Sequence, residues 1–260
     1  MKKILLYTRE FIKLKIFRPI LLGIGGRMGK YSIVGDHPIF DADKFKWTEL
    51  LENNWLAIRK ELESILTYHH LFPNLQDIQH EQKIINRDNN WKTFFLYGLG
   101  NKATLNCRQC PVTASLVEQI PGMKTVFFSI LSPNKHIPSH KGIFKGIIRS
   151  HLGLIIPGKP GDCVMRIEKE NINWEEGKVV VFDDTYEHEV WNNTNETRVV
   201  LLVDVVRPYK FLLSFINKCI IHLIGNSSYA KEATKNHRLW EESFYTKGKE
   251  NYHVALNAKT

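Results

Sequence analysis

Residues Gly177–Arg198, GKVVVFDDTYEHEVWNNTNETR, decide how this chain reads. β-branched residues precede its first turn and follow its arginine, so His188 and Arg198 are placed near the ends of neighbouring strands. A histidine ten residues ahead of an arginine pairs a metal ligand with a clamp for a carboxylate. The expectation is a metal that shares its site with an organic acid.

Around this stretch, from Lys124 to Val206, lie short β-rich runs: TVFFSIL, IIRSHLGLIIP, CVMRIE, KVVVFDD, HEVW and RVVLLVDVV. Short strands separated by turn signals predict an antiparallel sandwich or barrel. In IIRSHLGLIIP, Arg149 and His151 are two apart and share one face of a strand, with Ile148, Leu152 and Leu154 on the other. A cation and an imidazole on one face require a polar destination, which a cavity holding an acid supplies. Upstream, Ser129 sits in a strand and His140 in the polar turn HIPSHKG. His140 and His188, on different strands and meeting across a barrel, would hold a metal while leaving coordination positions open for oxygen chemistry. Taken singly, each histidine is an ordinary hydrogen-bonded or surface residue, and Arg198 an ordinary ion-pair residue. Asp183 and Asp184 make turn hydrogen bonds ahead of His188, with a supporting role toward it as the second option. Only the combination points to a site.

The segments HLGLIIP from His151, WEEGKVVVFDDTYEHEVW from Trp174 and VDVVRP from Val203 resemble the aspartyl/asparaginyl beta-hydroxylase family of Fe(II)- and 2-oxoglutarate-dependent dioxygenases, over Trp91 to Pro208. CPVTASLVEQIP from Cys110 also resembles a family segment. The resemblance implies a mainly β fold with flanking helices around a double-stranded β-helix of the jelly-roll, cupin-like kind. It implies that His140 and His188 bind iron, that Ser129 and Arg198 hold the distal carboxylate of the cosubstrate 2-oxoglutarate, and that His151 contacts it near the metal. Arg149 looks like a residue that meets a substrate carboxylate or the cosubstrate. The wider superfamily usually supplies a carboxylate ligand two residues after its first histidine, whereas here Gly142 stands there. Aspartyl hydroxylases share that absence, so the resemblance implies a two-histidine site with water in the vacant position. An arginine associated with the aspartyl enzymes, two positions before Arg149, is replaced by Ile147.

The implied reaction converts 2-oxoglutarate and oxygen to succinate and CO2 while hydroxylating an aspartyl or asparaginyl side chain or a related amino acid. The same chemistry on a lipid acyl chain, of the lipid A or ornithine-lipid type, is the alternative. A noncatalytic cupin-like binding module would be expected to lose the residues above, and all of them are present. No nucleic-acid motif occurs, and no nucleic-acid partner is expected.

The remaining chain divides into a helical flank at 1–90, the core at 91–208 and a helical tail at 209–260. Helix is expected with interruptions to about Tyr97, including one helix from Phe45 to Tyr68. The net charge of +9 belongs to the ends: residues 1–30 carry +7 and residues 206–260 carry +5, leaving −3 between. Ile4, Tyr7, Phe11 and Leu14 repeat at helical spacing among lysines, and Phe211–Ile224 is a second amphipathic candidate. Such segments either lie on an anionic membrane surface or dock on the domain. Neither is long enough to span a bilayer, and no secretory signal is evident. The expected location is cytoplasmic, free or peripheral on the membrane. Cys107 and Cys110 form a CxxC with no second pair, which favours packing over zinc. Asn192 and Asn195 begin N-x-T triplets, which matter only in a secreted chain.

Overall fold

The structure, a computed structural model, describes residues 23–257 apart from 80, 81 and 84, with side chains to residue 246. Residues 23–29 are helical (α1). There follow β1 (Ile39–Phe40), α2 (Trp47–Asn53), α3 (Trp55–Leu66), the single turn α4 (Leu75–Ile78), β2 (Trp91–Gly98), β3 (Asn101–Lys102), α5 (Thr104–Gln109) and α6 (Pro111–Glu118). The strands β4 (Met123–Leu131), β5 (His136–His140), β6 (Ile147–Ile155), β7 (Cys163–Ile167), β8 (Glu170–Asn173), β9 (Val179–Phe182), β10 (His188–Asn192) and β11 (Arg198–Val206) come next. Helices α7 (Phe211–Gly225) and α8 (Ser228–Asn257) close the described chain.

Two antiparallel sheets result, a seven-stranded one in the order β1-β9-β6-β11-β4-β2-β3 and a four-stranded one in the order β5-β10-β7-β8. From β4 onward the chain changes sheet at every connection except the β7–β8 hairpin. That alternation is a double-stranded β-helix, in agreement with the sequence reading.

Strand parity sorts the side chains into two cores. On β11, Val199, Leu201, Val203 and Val205 pack toward α3 and α6 with Ile58, Leu62 and Val117. Val200 and Leu202 turn instead into the barrel with Phe127, Met165 and Phe182. The same barrel-facing row of β11 begins with Arg198 and ends with Asp204, both buried. A run apolar on both faces is what a strand covered on both sides requires.

Several local expectations are corrected. Phe45–Tyr68 is not one helix: Asn54 leaves helical geometry (φ −116°, ψ 10°) and its side chain donates to Leu50 O (2.8 Å), separating α2 from α3. Helix does not run to Tyr97, because Trp91–Gly98 is a strand with Phe94 and Leu96 in the helix-side core and Trp91 and Phe95 in the barrel. The N-terminal flank also supplies β1, which edges the large sheet. His140 ends strand β5 and does not lie in a turn. Cys107 and Cys110 are both buried, and the Cys107 thiol donates to Leu96 O (3.3 Å). The Phe211 helix forms as expected, whereas the segment from Ile4 to Ile16 lies outside the described residues. No helix among the described residues is long and apolar enough to cross a membrane.

Candidate active site

His140 and His188 are brought together by an irregularity in an edge strand. β5 pairs with β10 at Trp191↔His136 and Val190↔Ile137, and the register then shifts so that His188 faces His140. Pro138 lies in the shift, where its missing N–H disturbs the ladder least. The two rings stand 4.1 Å apart between centroids. They are cross-strand partners in one sheet, not residues meeting across the barrel.

Each ring shares a hydrogen bond with a carbonyl two residues earlier, His140 Nδ1 with Pro138 O (2.8 Å) and His188 Nδ1 with Tyr186 O (3.0 Å). With the proton on Nδ1, each Nε2 keeps its lone pair for a metal. Burial, together with the neighbouring His188, lowers the pKa of His140 to about 4, and burial lowers that of His188. Both are therefore neutral near pH 7, the form that ligates. No group of three or more His, Cys, Asp or Glu side chains suited to a metal occurs among the described residues. A side chain at Gly142 would collide with the Asp184 carboxylate, and the Gly142 N–H donates to Asp184 O (2.6 Å).

Arg198 occupies the same cavity and is only 1% exposed. Its guanidinium lies over the Trp174 ring at 4.5 Å, and its Nε and Nη1 have no hydrogen-bond partner. Burial pulls its pKa down to about 9. Ser129 lies diagonally across on β4, two residues from the Leu131 that pairs with Arg198, and its hydroxyl accepts from Trp91 Nε1 (3.0 Å). The Ser129 O–H thus remains free to donate. His151 is packed edge-on against Phe182 (4.9 Å between centroids) with neither ring nitrogen bonded. Burial and the charge of Arg198 hold its pKa well below the usual value. An unpaired cation, a free hydroxyl and an unpaired imidazole in one buried cavity fit a carboxylate-bearing ligand.

All six residues singled out in the sequence, Ser129, His140, Arg149, His151, His188 and Arg198, line this one cavity. Arg149 differs from Arg198 in being already paired. It donates to both carboxylate oxygens of Asp204 (2.8 and 3.0 Å) and lies 3.1 Å from Asp184. Sequence reasoning missed Asp204, although its parity with Arg198 on β11 places it on the barrel face. It also missed the Trp91 donor and the Trp174 platform, which no local signal marks. Asp183 accepts from Thr185 N (3.0 Å), the expected turn bond, and also forms a buried ion pair with Arg207.

Fold and site together define a jelly-roll protein whose cavity brings two neutral histidines and one buried arginine into one chamber. The chain belongs to the aspartyl/asparaginyl beta-hydroxylase family, whose model matches residues 52–208. It is 43% identical over 216 residues to an ornithine lipid ester-linked acyl 2-hydroxylase of Rhizobium tropici, covering 83% of this chain and 77% of that protein. It is 32% identical over 205 residues to the human aspartyl/asparaginyl beta-hydroxylase, covering 71% of this chain but only 26% of that protein. Among solved structures, a Cupin_2 domain of an Enterobacter cloacae transcriptional regulator is similar at 15% identity with a TM-score of 0.31, over 45% of this chain and 97% of that one. That likeness is too distant to bear on function, and the fold rests on the strand order given above.

Proposed function

We propose that this protein is an Fe(II)- and 2-oxoglutarate-dependent hydroxylase acting on a lipid acyl chain. The observation that carries the chemistry is the buried Arg198, unpaired at Nε and Nη1, in the cavity that also holds the paired histidines. Iron and 2-oxoglutarate, when bound, supply the oxidation by which oxygen hydroxylates an unactivated carbon, with succinate and CO2 as co-products. His140 and His188 would hold the metal through Nε2. Arg198 and Ser129 would bind and orient the distal carboxylate of the cosubstrate by charge-assisted hydrogen bonds, and His151 would contact its other end. The apolar barrel wall of Phe182, Met165 and Leu202 excludes water around these groups.

The resemblance puts an amino-acid side chain first among substrates, and two observations reverse that order. The lipid hydroxylase of Rhizobium tropici is the more similar of the two relatives described, over most of both chains. Arg149, the candidate for meeting a substrate carboxylate, is already engaged by Asp204 and Asp184.

The test incubates the purified chain with Fe(II), 2-oxoglutarate, oxygen and bacterial lipids that include ornithine lipid. Succinate should form, and mass spectrometry should find one added oxygen on an acyl chain. His140→Ala and His188→Ala should abolish metal binding measured calorimetrically as well as turnover. An added oxygen on an aspartyl peptide, with lipids unchanged, would restore the amino-acid reading. Absence of binding of both iron and 2-oxoglutarate would leave only a noncatalytic module.

A further inference from the structure

Helix α7 is held to the protein along one side by Asn217 and Ile221. Asn217 is fully buried and donates to Gly146 O (2.9 Å) and Arg207 O (3.4 Å), and Ile221 is buried one turn on. The opposite face is apolar and open: Phe211 is 96% exposed, Leu212 64%, Phe215 66% and Leu223 70%. The helix thus carries apolar residues on both sides, and a contiguous exposed apolar patch marks an interaction surface.

The patch continues onto the segment beside it. Ser32 pairs with Tyr209, and Ile33 N donates to Pro208 O (3.0 Å), so Tyr31 and Ile33, both largely exposed, lie next to the start of α7. Its charge has one sign. Residues 23–35 and 209–227 contain Arg27, Lys30, Lys210 and Lys218 and no Asp or Glu, and all four basic residues are exposed. Exposed aromatic and aliphatic side chains among cations match the headgroup boundary of an anionic bilayer. A water-soluble protein partner would gain from the apolar face but offers no reason for the uniform charge.

The patch is also connected to the site. Asn217 holds Gly146 at the end of the loop that leads from His140 to Arg149, and Tyr209 donates to Lys145 O (3.3 Å) in the same loop. We propose that the outward face of α7, with the 30–33 segment beside it, docks on an anionic lipid bilayer and seats the loop between His140 and Arg149 close to the membrane surface. This rests on the lipid reading of the active site for its purpose but not for its evidence.

The experiment reads binding without turnover, so that either proposal can fail alone. Cys219 is exposed on α7 while Cys107, Cys110 and Cys163 are buried, so an environment-sensitive fluorophore can be attached there on the full chain. Vesicles of phosphatidylglycerol and phosphatidylcholine should shift its emission to the blue and carry the protein in flotation, less so at high salt and much less with phosphatidylcholine alone. Phe211→Glu with Phe215→Glu, or Lys210→Glu with Lys218→Glu, should weaken flotation about ten-fold or more with the unfolding midpoint unchanged. No shift of the Cys219 probe in the wild type overturns the proposal whether or not the variants fold. Undiminished flotation of the Phe variant also overturns it, and a lipid-free dimer that the Phe variant dissociates reassigns the face to a second copy.

Discussion

Among the described residues two arginines, Arg198 and Arg207, are fully buried, and their surroundings separate their roles. Arg207 is matched by Asp183 and by Gly35 O (3.3 Å), as a structural cation has to be. Arg198 has Trp174 beneath it and, among the described residues, no carboxylate paired with it, an uncompensated charge that a bound dicarboxylate would satisfy. Arg198→Met is therefore expected to abolish binding of 2-oxoglutarate while stabilising the ligand-free protein by about 1–4 kcal/mol, read by calorimetric titration and by urea unfolding. A loss of ligand-free stability would show that Arg198 is a structural cation after all. The residue was legible in the sequence as a clamp only because of what stood ten positions before it.

At the level of elements, the decisive piece is the turn between β10 and β11, which carries the chain from the small sheet to the large one and so separates His188 from Arg198. Asn192 organises it. Its Nδ2 donates to Leu131 O (3.3 Å), Ser132 O (2.9 Å) and Glu196 O (2.8 Å), and its Oδ1 accepts from Thr194 Oγ1 (2.7 Å). The side chain is fully buried and committed, so the N-x-T triplet it begins is a turn signal and not a glycan acceptor. Asn192→Ala should cost about 2–4 kcal/mol in chemical denaturation, because buried carbonyls lose their donor. Asn192→Asp should not restore that stability, since a carboxylate keeps the Thr194 bond but donates nothing. Neighbouring strands, the sequence expectation for this pair, proved to be consecutive strands in different sheets. Hydrophobic pattern gives the face of a strand but not its sheet.

For the whole molecule, buried neutral histidines link stability to pH. Besides His140, burial lowers His237, packed between Phe95 and Trp240, to about 4. In the unfolded chain these imidazoles titrate near 6.5. Above that pH neither state binds the proton. Between about 6.5 and 4 the unfolded chain takes up protons that the native protein refuses, so this contribution to stability is lost as pH falls and levels off below 4. His237→Gln, at a residue that does not line the active-site cavity, should make the decline from pH 7.5 to pH 4.5 shallower by about 1–3 kcal/mol in urea titrations, even if its stability at neutral pH is lower. An unchanged slope would mean that His237 is accessible to protons in the folded state.

The sequence by itself indicated the β core and the helical tail, because strand parity and turn chemistry are local properties of the chain, and through the family resemblance it singled out six of the residues that line the cavity. It left β2 unread because Trp91–Gly98 is apolar on both faces, and a strand buried on both sides shows no alternation. The tertiary structure decided what depends on distant neighbours. The register shift at Pro138 set His140 beside His188, and Asp204 and Asp184 took up Arg149, whereas no such partner stands beside Arg198 among the described residues. Whether a buried charge serves structure or binding depends on what lies within a few ångströms of it, and that is set only when strands far apart in the chain close into the barrel.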